Sequence, residues 1–108
     1  MAPINEIKLA WLAGILEGEG CFKMDPRPRI AVAMTDEDII ERVATLFSSS
    51  YTKWNVKTKG GKSVWQTTIG RRKDLPELLT RLYPYMGKRR QEKIDELFIY
   101  YKEVPSHS

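Results

Sequence analysis

The chain holds one cysteine and one histidine, and each shortage narrows its chemistry. Cys21 has no second cysteine to bridge within the chain; between Gly20 and Phe22 it reads as a small hydrophobe in or near the core. His107, the sole histidine, lies in a tail expected to be solvated, so Cys21 has no imidazole nearby in sequence to make it a reactive thiol. No apolar run is long enough to cross a bilayer, and nothing resembles a secretory leader. A soluble, intracellular protein without a membrane partner is therefore expected. There is no low-complexity segment, and 108 residues fit a single domain, 1–108, being too few for two independent cores; residues 104–108 read as a loose tail.

What is present is an ordinary globular balance, 42% hydrophobic and 30% charged residues, with 18 Lys and Arg against 14 Asp and Glu. A formal charge of +4 says little by itself, and placement says more. Acids gather at 36–41 and 95–96, on segments that read as helices, whereas bases crowd 53–62, 71–73 and 88–90. One surface is expected to be strongly positive.

Asn5 can cap a helix over residues 6–17. Leu9, Leu12, Ala13 and Leu16 form one apolar stripe, while Ala10, Trp11, Gly14 and Gly18 continue around another side, so the helix is expected to be buried on two sides. Residues 21–24 and 30–34 read as strands joined through Asp25-Pro26-Arg27-Pro28. Thr35 or Asp36 then caps a second helix to about residue 48, with acids in its first turn complementing the dipole. Residues 53–59 and 62–69 form a hairpin about a two-residue Gly60-Gly61 turn. That turn sets Lys59 opposite Lys62. It sends Trp54, Val56, Thr58, Trp65, Thr67 and Ile69 to a core face, and Lys53, Asn55, Lys57, Lys59, Lys62, Gln66 and Thr68, with Val64, to a basic face. Asp74 caps a third helix that Pro84 stops, and a fourth, over 89–102, buries Ile94, Leu97, Phe98 and Tyr101. The expected class is α+β with an antiparallel sheet, in the order αββαββα plus an extra C-terminal helix.

The first helix carries the most pointed chemistry. Gly14 and Gly18, four apart, leave backbone exposed on one face where another helix can approach closely. A two-fold copy of the chain satisfies such a face with itself; a neighbouring helix of the same chain is the other possibility. Glu17 and Glu19 fall at the negative end of the helix dipole, where carboxylates call for a cation. In a symmetric dimer two Glu19 side chains would converge, and a hard divalent ion such as magnesium would relieve their repulsion.

The segment Leu12-Ala13-Gly14-Ile15-Leu16-Glu17-Gly18-Glu19-Gly20 resembles the LAGLIDADG motif of homing endonucleases and related splicing maturases, and the expected element order agrees over nearly the whole chain. The resemblance implies the LAGLIDADG homing-endonuclease-like fold. With one motif per chain, it also implies a homodimer with Ala10, Trp11, Gly14, Glu17 and Gly18 at its interface. It implies a divalent cation, Mg2+ or another such as Mn2+, held by Glu19 with the backbone carbonyl of Gly18. Glu17 reads instead as a helix-end or interface residue. The family commonly has Asp where Glu17 and Glu19 stand, and the added methylene moves each carboxylate outward.

Lys88-Arg89-Arg90-Gln91 resembles the family's basic segment at the start of the late helix. Lys88 is the candidate for the active-site lysine, stabilising phosphate charge or holding the attacking water; a slip of one residue would bring Arg89 there. Arg89 and Arg90 otherwise read as phosphate clamps. Asp36 falls where the family places a polar residue that helps organise water at the centre, or it is simply a helix cap; Ile40 stands where some members have a base.

DNA recognition would use the basic sheet face, joined by Lys23, Arg27 and Arg29, as a ribbon for the major groove of double-stranded DNA. Arg27, Arg29 and Gln66 suit base edges. Lys53, Lys57, Lys59, Lys62, Arg71 and Arg72 suit phosphates, with Asn55 and Thr68 completing the ribbon. The expected function is a homodimeric, site-specific DNA endonuclease making a metal-dependent double-strand break in a long pseudo-palindromic target. A non-cleaving DNA-binding protein or splicing maturase on the same fold is the chief rival, and an interaction domain gripping an acidic protein is the third reading.

Overall fold

The computed structural model describes residues 1–55 and 63–105. In chain order they form α1 (Glu6–Glu19), β1 (Gly20–Lys23), β2 (Arg29–Met34), α2 (Glu37–Phe47), β3 (Tyr51–Asn55), β4 (Ser63–Ile69), α3 (Leu75–Leu82), a 3-10 turn (Tyr83–Tyr85) and α4 (Lys88–Glu103). This is the expected α+β order with its additional C-terminal helix. Among the described residues no helix is long and apolar enough to cross a membrane.

Asn5 caps α1 as expected, its side chain accepting the Lys8 N–H at 2.8 Å. The helix runs two residues further than the sequence pattern suggested, because the Gly20 N–H closes onto the Leu16 carbonyl and Arg90 satisfies the carbonyl of Glu17. Both motif acids therefore belong to its last turn. Leu9, Leu12, Ala13 and Leu16 are buried in one cluster with Phe22, Ile30, Val32, Ile40, Phe47, Ile69, Leu79 and Ile94. The opposite side of α1, at Ala10, Gly14 and Gly18, is exposed within the single chain.

The four strands form one antiparallel sheet in the order β1-β2-β4-β3. Phe22, Ile30, Val32, Thr67 and Ile69 are buried on the side that carries the helices, and the alternate residues lie on an open face. Cys21 is one of these: it is exposed, not part of the core, because the neighbours that turn inward are Gly20 and Phe22.

The larger correction concerns β3. Tyr51 opposes Thr67, Thr52 opposes Gln66, Lys53 opposes Trp65 and Trp54 opposes Val64. Directly opposed residues share a face, so Lys53 and the position of Asn55 belong to the helix-bearing side, and Trp54 to the open side. This is three residues away from the register that a tight Gly60-Gly61 turn would impose, and an odd offset exchanges the two faces of a strand. Residue 56 to residue 62, which include Val56, Lys57, Thr58, Lys59, Gly60, Gly61 and Lys62, lie outside the described residues, as do 106–108 with His107. On β4 the expected faces hold: Trp65, Thr67 and Ile69 face the helices, and Val64, Gln66 and Thr68 the open side.

Arginine side chains close both helix ends that meet the sheet. α2 ends at Ser48 in the left-handed region, φ 51°, and Arg71 donates to the carbonyls of Phe47 and Ser48. The Arg71 Nε also donates to Asp74 at 2.6 Å. Asp74, expected as a cap, occupies the N-cap position of α3 without a side-chain capping bond; its carboxylate is taken by Arg71 and by the N-terminal ammonium of Met1 at 3.2 Å.

Candidate functional site

The motif acids sit where α1 passes into β1 and the start of α4 packs against that junction. Glu17 Oε1 accepts the Gly87 N–H at 3.2 Å, at the N-cap of α4, and the Glu17 carboxylate lies 3.6 Å from the Arg90 Nε. The Arg90 guanidinium donates to the Glu17 carbonyl at 3.1 Å and to the Gly20 carbonyl at 2.6 Å, with its carbon 5.6 Å from the centre of the Phe22 ring. Its side chain is only 16% exposed. Arg90 thus clamps the end of α1 to the start of α4. Glu17, 44% exposed, engages its carboxylate with the start of α4.

This clamp sorts the two acids. Glu19, exposed at the last position of α1, makes no hydrogen bond or ion pair among the described residues. Lys88 and Arg89, the first residues of α4, are exposed and equally uncommitted. The contacts of Gly87 and Arg90 with Glu17 and Gly20 bring them to the end of α1 that carries Glu19. Asp36 is at the N-cap of α2, exposed and without a side-chain capping bond. It lies at the same end of the sheet, since Gly20 pairs with Val32 and the chain runs on through Met34 to Asp36.

No three His, Cys, Asp or Glu side chains gather as a metal cage among the described residues. One chain offers a hard cation the free carboxylate of Glu19 and the carbonyl of Gly18, which Arg90 leaves alone while taking those of Glu17 and Gly20. Both are oxygen donors of the type magnesium and manganese accept. The donor set suits such an ion but is incomplete within one chain.

Beside this end runs an open helix surface. A Cβ built on Gly14 or Gly18 would meet nothing within 4 Å. Ala10 is exposed and Trp11 half-buried, with the Arg42 guanidinium 4.4 Å over its ring. Ile7, 84% exposed, extends the same stripe by one turn: Ile7, Trp11, Gly14 and Gly18 fall at the four-then-three spacing of a helix-pairing seam. Ile7, not among the interface residues expected from the motif, is marked in the sequence by its place four residues before Trp11.

On the open sheet face, Lys23 pairs with Arg29, and Arg27 is exposed in the adjoining turn. Arg29 also donates to the Asp25 carbonyl at 2.5 Å. Gln66 and Thr68 lie on this face as expected. Lys53 does not: its ammonium lies 5.5 Å from the centre of the Trp65 ring, on the helix side. Arg71 is held by α2 and Asp74, and Arg72 donates to the Tyr101 carbonyl at 3.2 Å with its guanidinium 5.0 Å over that ring. Both arginines make contacts within the chain while lining, with Arg27, Arg29 and Thr68, an open surface pocket.

No curated relative matches the sequence. Among solved structures the fold is similar to that of the homing endonuclease I-CvuI, in complex with the I-CreI target in the presence of magnesium and with the DNA not cleaved. That likeness has a TM-score of 0.61 and 20% identity, covering 94% of this chain and 69% of that one. It is also similar to the group I intron-encoded homing endonuclease I-CeuI complexed with DNA, with a TM-score of 0.58 and 17% identity, covering 95% of this chain and 60% of that one. At these identities the likeness is one of fold. A family model for the LAGLIDADG-like domain matches residues 6–83, taking in the motif helix and both pairs of strands. The glycine-bearing helix with its terminal acids and the αββαββ frame around it agree with that match, and the chain belongs to the LAGLIDADG-like domain family.

Proposed function

We propose that two copies of this chain join along α1 and cut double-stranded DNA at a long pseudo-palindromic site, each copy reading one half-site with the open face of its sheet. The observation that carries this reading is the division of labour at the end of α1. Glu17 is engaged within the chain, while Glu19 is left exposed and, among the described residues, unpaired beside a helix surface notched by Gly14 and Gly18. A two-fold copy against that surface would bring a second Glu19 to the same place, and the two carboxylates with the two Gly18 carbonyls would hold Mg2+ or Mn2+ through oxygen donors, leaving positions for water and phosphate. When bound, such a cation supplies Lewis-acid chemistry at the scissile phosphate.

The chain's own residues do the rest. Glu19 holds the centre, Lys88 or its neighbour Arg89 stabilises charge developing on the phosphate, and Asp36 orders water at the same end. Lys23, Arg27, Arg29, Gln66 and Thr68 contact the duplex from the sheet. DNA complexes of proteins with the same fold support this use of it.

The reading is tested by incubating the protein with a random duplex library in magnesium and sequencing the cleaved ends. Recurrent cleavage at one pseudo-palindromic sequence, abolished by chelation, is expected. Recovery of a specifically bound sequence that stays intact in magnesium and manganese would overturn the nuclease reading in favour of a non-cleaving binder or splicing maturase. Loss of all duplex binding would overturn both.

A further inference from the structure

The described open face of the sheet is less basic than the alternation in the sequence suggests. The cations carried by its described strands, Lys23 and Arg29, stand together at one end, and Arg71 borders it beside Gln66 and Thr68. Toward the other end the cross-strand rows are Ala33, Gln66 and Thr52, then Val64 and Trp54. Trp54 is 56% exposed and Ala33 is also exposed. An indole left in water forgoes the burial from which tryptophan draws most of its contribution to stability, so this corner is built to be covered.

Charge indicates by what. No acid stands among the described strand residues of this face, and a second copy laid on it would set its own Lys23 and Arg29 in a field of like sign. A polyanion meets no such conflict. Within the major groove of DNA the apolar feature on offer is the thymine methyl group, and the adjacent adenine edge matches the side-chain amide of glutamine. The two rows are two residues apart along the strands, about 7 Å, the rise of about two base pairs.

We propose that Trp54, Val64 and Ala33 read thymine methyl groups while Gln66 takes an adenine edge, so that each half-site carries A·T pairs at two positions about two base-pair steps apart. The inference rests on the reading of the chain as a duplex-DNA binder and adds the bases it prefers. The experiment removes methyl groups from the DNA. A duplex recovered by selection from a random library is remade with uracil for thymine, one position at a time, and its affinity measured for the wild type, Trp54→Ala and Val64→Ala.

Uracil at the positions under this corner is expected to weaken wild-type binding about fourfold per methyl, with no effect elsewhere in the duplex, and the penalty should vanish in the variants. Specific binding that is indifferent to uracil at every position overturns the proposal while leaving duplex recognition intact, as does a penalty of unchanged size in both variants. A chain that binds no duplex specifically overturns the underlying reading instead. Self-association without DNA that Trp54→Ala abolishes assigns the corner to a second copy and likewise overturns it.

Discussion

Arg90 donates to the carbonyl of Gly20 across 2.6 Å, joining residues seventy positions apart at the point where the motif helix becomes a strand. The same guanidinium holds the Glu17 carbonyl, so it bridges the backbone on both sides of Glu19. Removing it leaves the Gly20 carbonyl without this donor at a partly buried contact and takes the guanidinium from the Glu17 carbonyl and carboxylate. Arg90→Ala should cost about 2 kcal/mol, read from urea unfolding, and Arg90→Lys should recover only part because an ammonium lacks the guanidinium fork. An unchanged denaturation midpoint in Arg90→Ala would show that the clamp contributes nothing.

Gly20 is tightly enclosed at the same junction. A Cβ added there would lie 2.7 Å from the Leu16 carbonyl oxygen and 3.0 Å from the Leu16 Cα. Backbone in a helix end cannot yield as a side chain tip does, so Gly20→Ala should destabilise the fold by roughly 1–3 kcal/mol. Thermal unfolding checks this directly.

Gly14 is the opposite case. An added side chain meets open space within the chain, and leucine favours a helix interior over glycine by roughly 0.8 kcal/mol. Gly14→Leu should leave the unfolding temperature unchanged or slightly raised, yet split the proposed dimer by blocking close helix approach. Sedimentation of wild type and variant at equal concentration decides it, and a variant that remains a fully active dimer removes the glycine-notched seam from the proposal.

Glu19→Gln keeps the size of the side chain and removes its charge. Cleavage should fall roughly 10²–10³-fold, the scale of losing one well-placed electrostatic contact in a reaction, while affinity for the same duplex stays within about twofold, since Glu19 is expected to hold the cation rather than the DNA. Parallel cleavage and gel-shift titrations separate the two effects, and unaltered cleavage would take Glu19 out of the chemistry.

Arg71 beside Asp74 holds that carboxyl below its ordinary range, against the opposing effect of burial and with help from the Met1 ammonium. A depressed value in the folded state means stabilisation that is complete above the unfolded aspartate value of about 3.9 and is lost as pH falls through the folded one. Thermal melts should therefore show stability declining in acid below about pH 4. Asp74→Asn should melt lower at pH 7 and lose less on acidification than the wild type; parallel acid limbs for the two would exclude the pair as a source of the effect.

Much of this architecture was legible in the sequence because the signals were local. The 3.6-residue period placed the helices, alternation placed the faces of β4, and the glycines and acids of α1 stood in one short segment. Elsewhere, local rules competed or did not reach. On β3 the strong turn signal of Gly60-Gly61 outweighed the side-chain pattern, and the register derived from it turned Trp54 inward and Lys53 outward. Arg71, Arg72 and Arg90 have the chemistry of phosphate contacts in the sequence, and the fold also makes them donors to carbonyls of Phe47, Tyr101 and Gly20, partners between 24 and 70 positions distant. Nothing in a window of neighbours distinguishes an arginine that meets phosphate from one that closes a helix. The same gap separates Glu17 from Glu19: their spacing marks both as notable, but only the position of Gly87 and Arg90 determines which is engaged.

The sole thiol of the chain lies on the outward side of β1, two residues after Glu19 and level with Ala31 in the next strand. A maleimide dye therefore attaches at one known point without mutagenesis, beside the surface a duplex would cover and next to the first turns of α4. Its emission becomes a direct gauge of occupancy, legible in a cuvette whether or not any strand is broken.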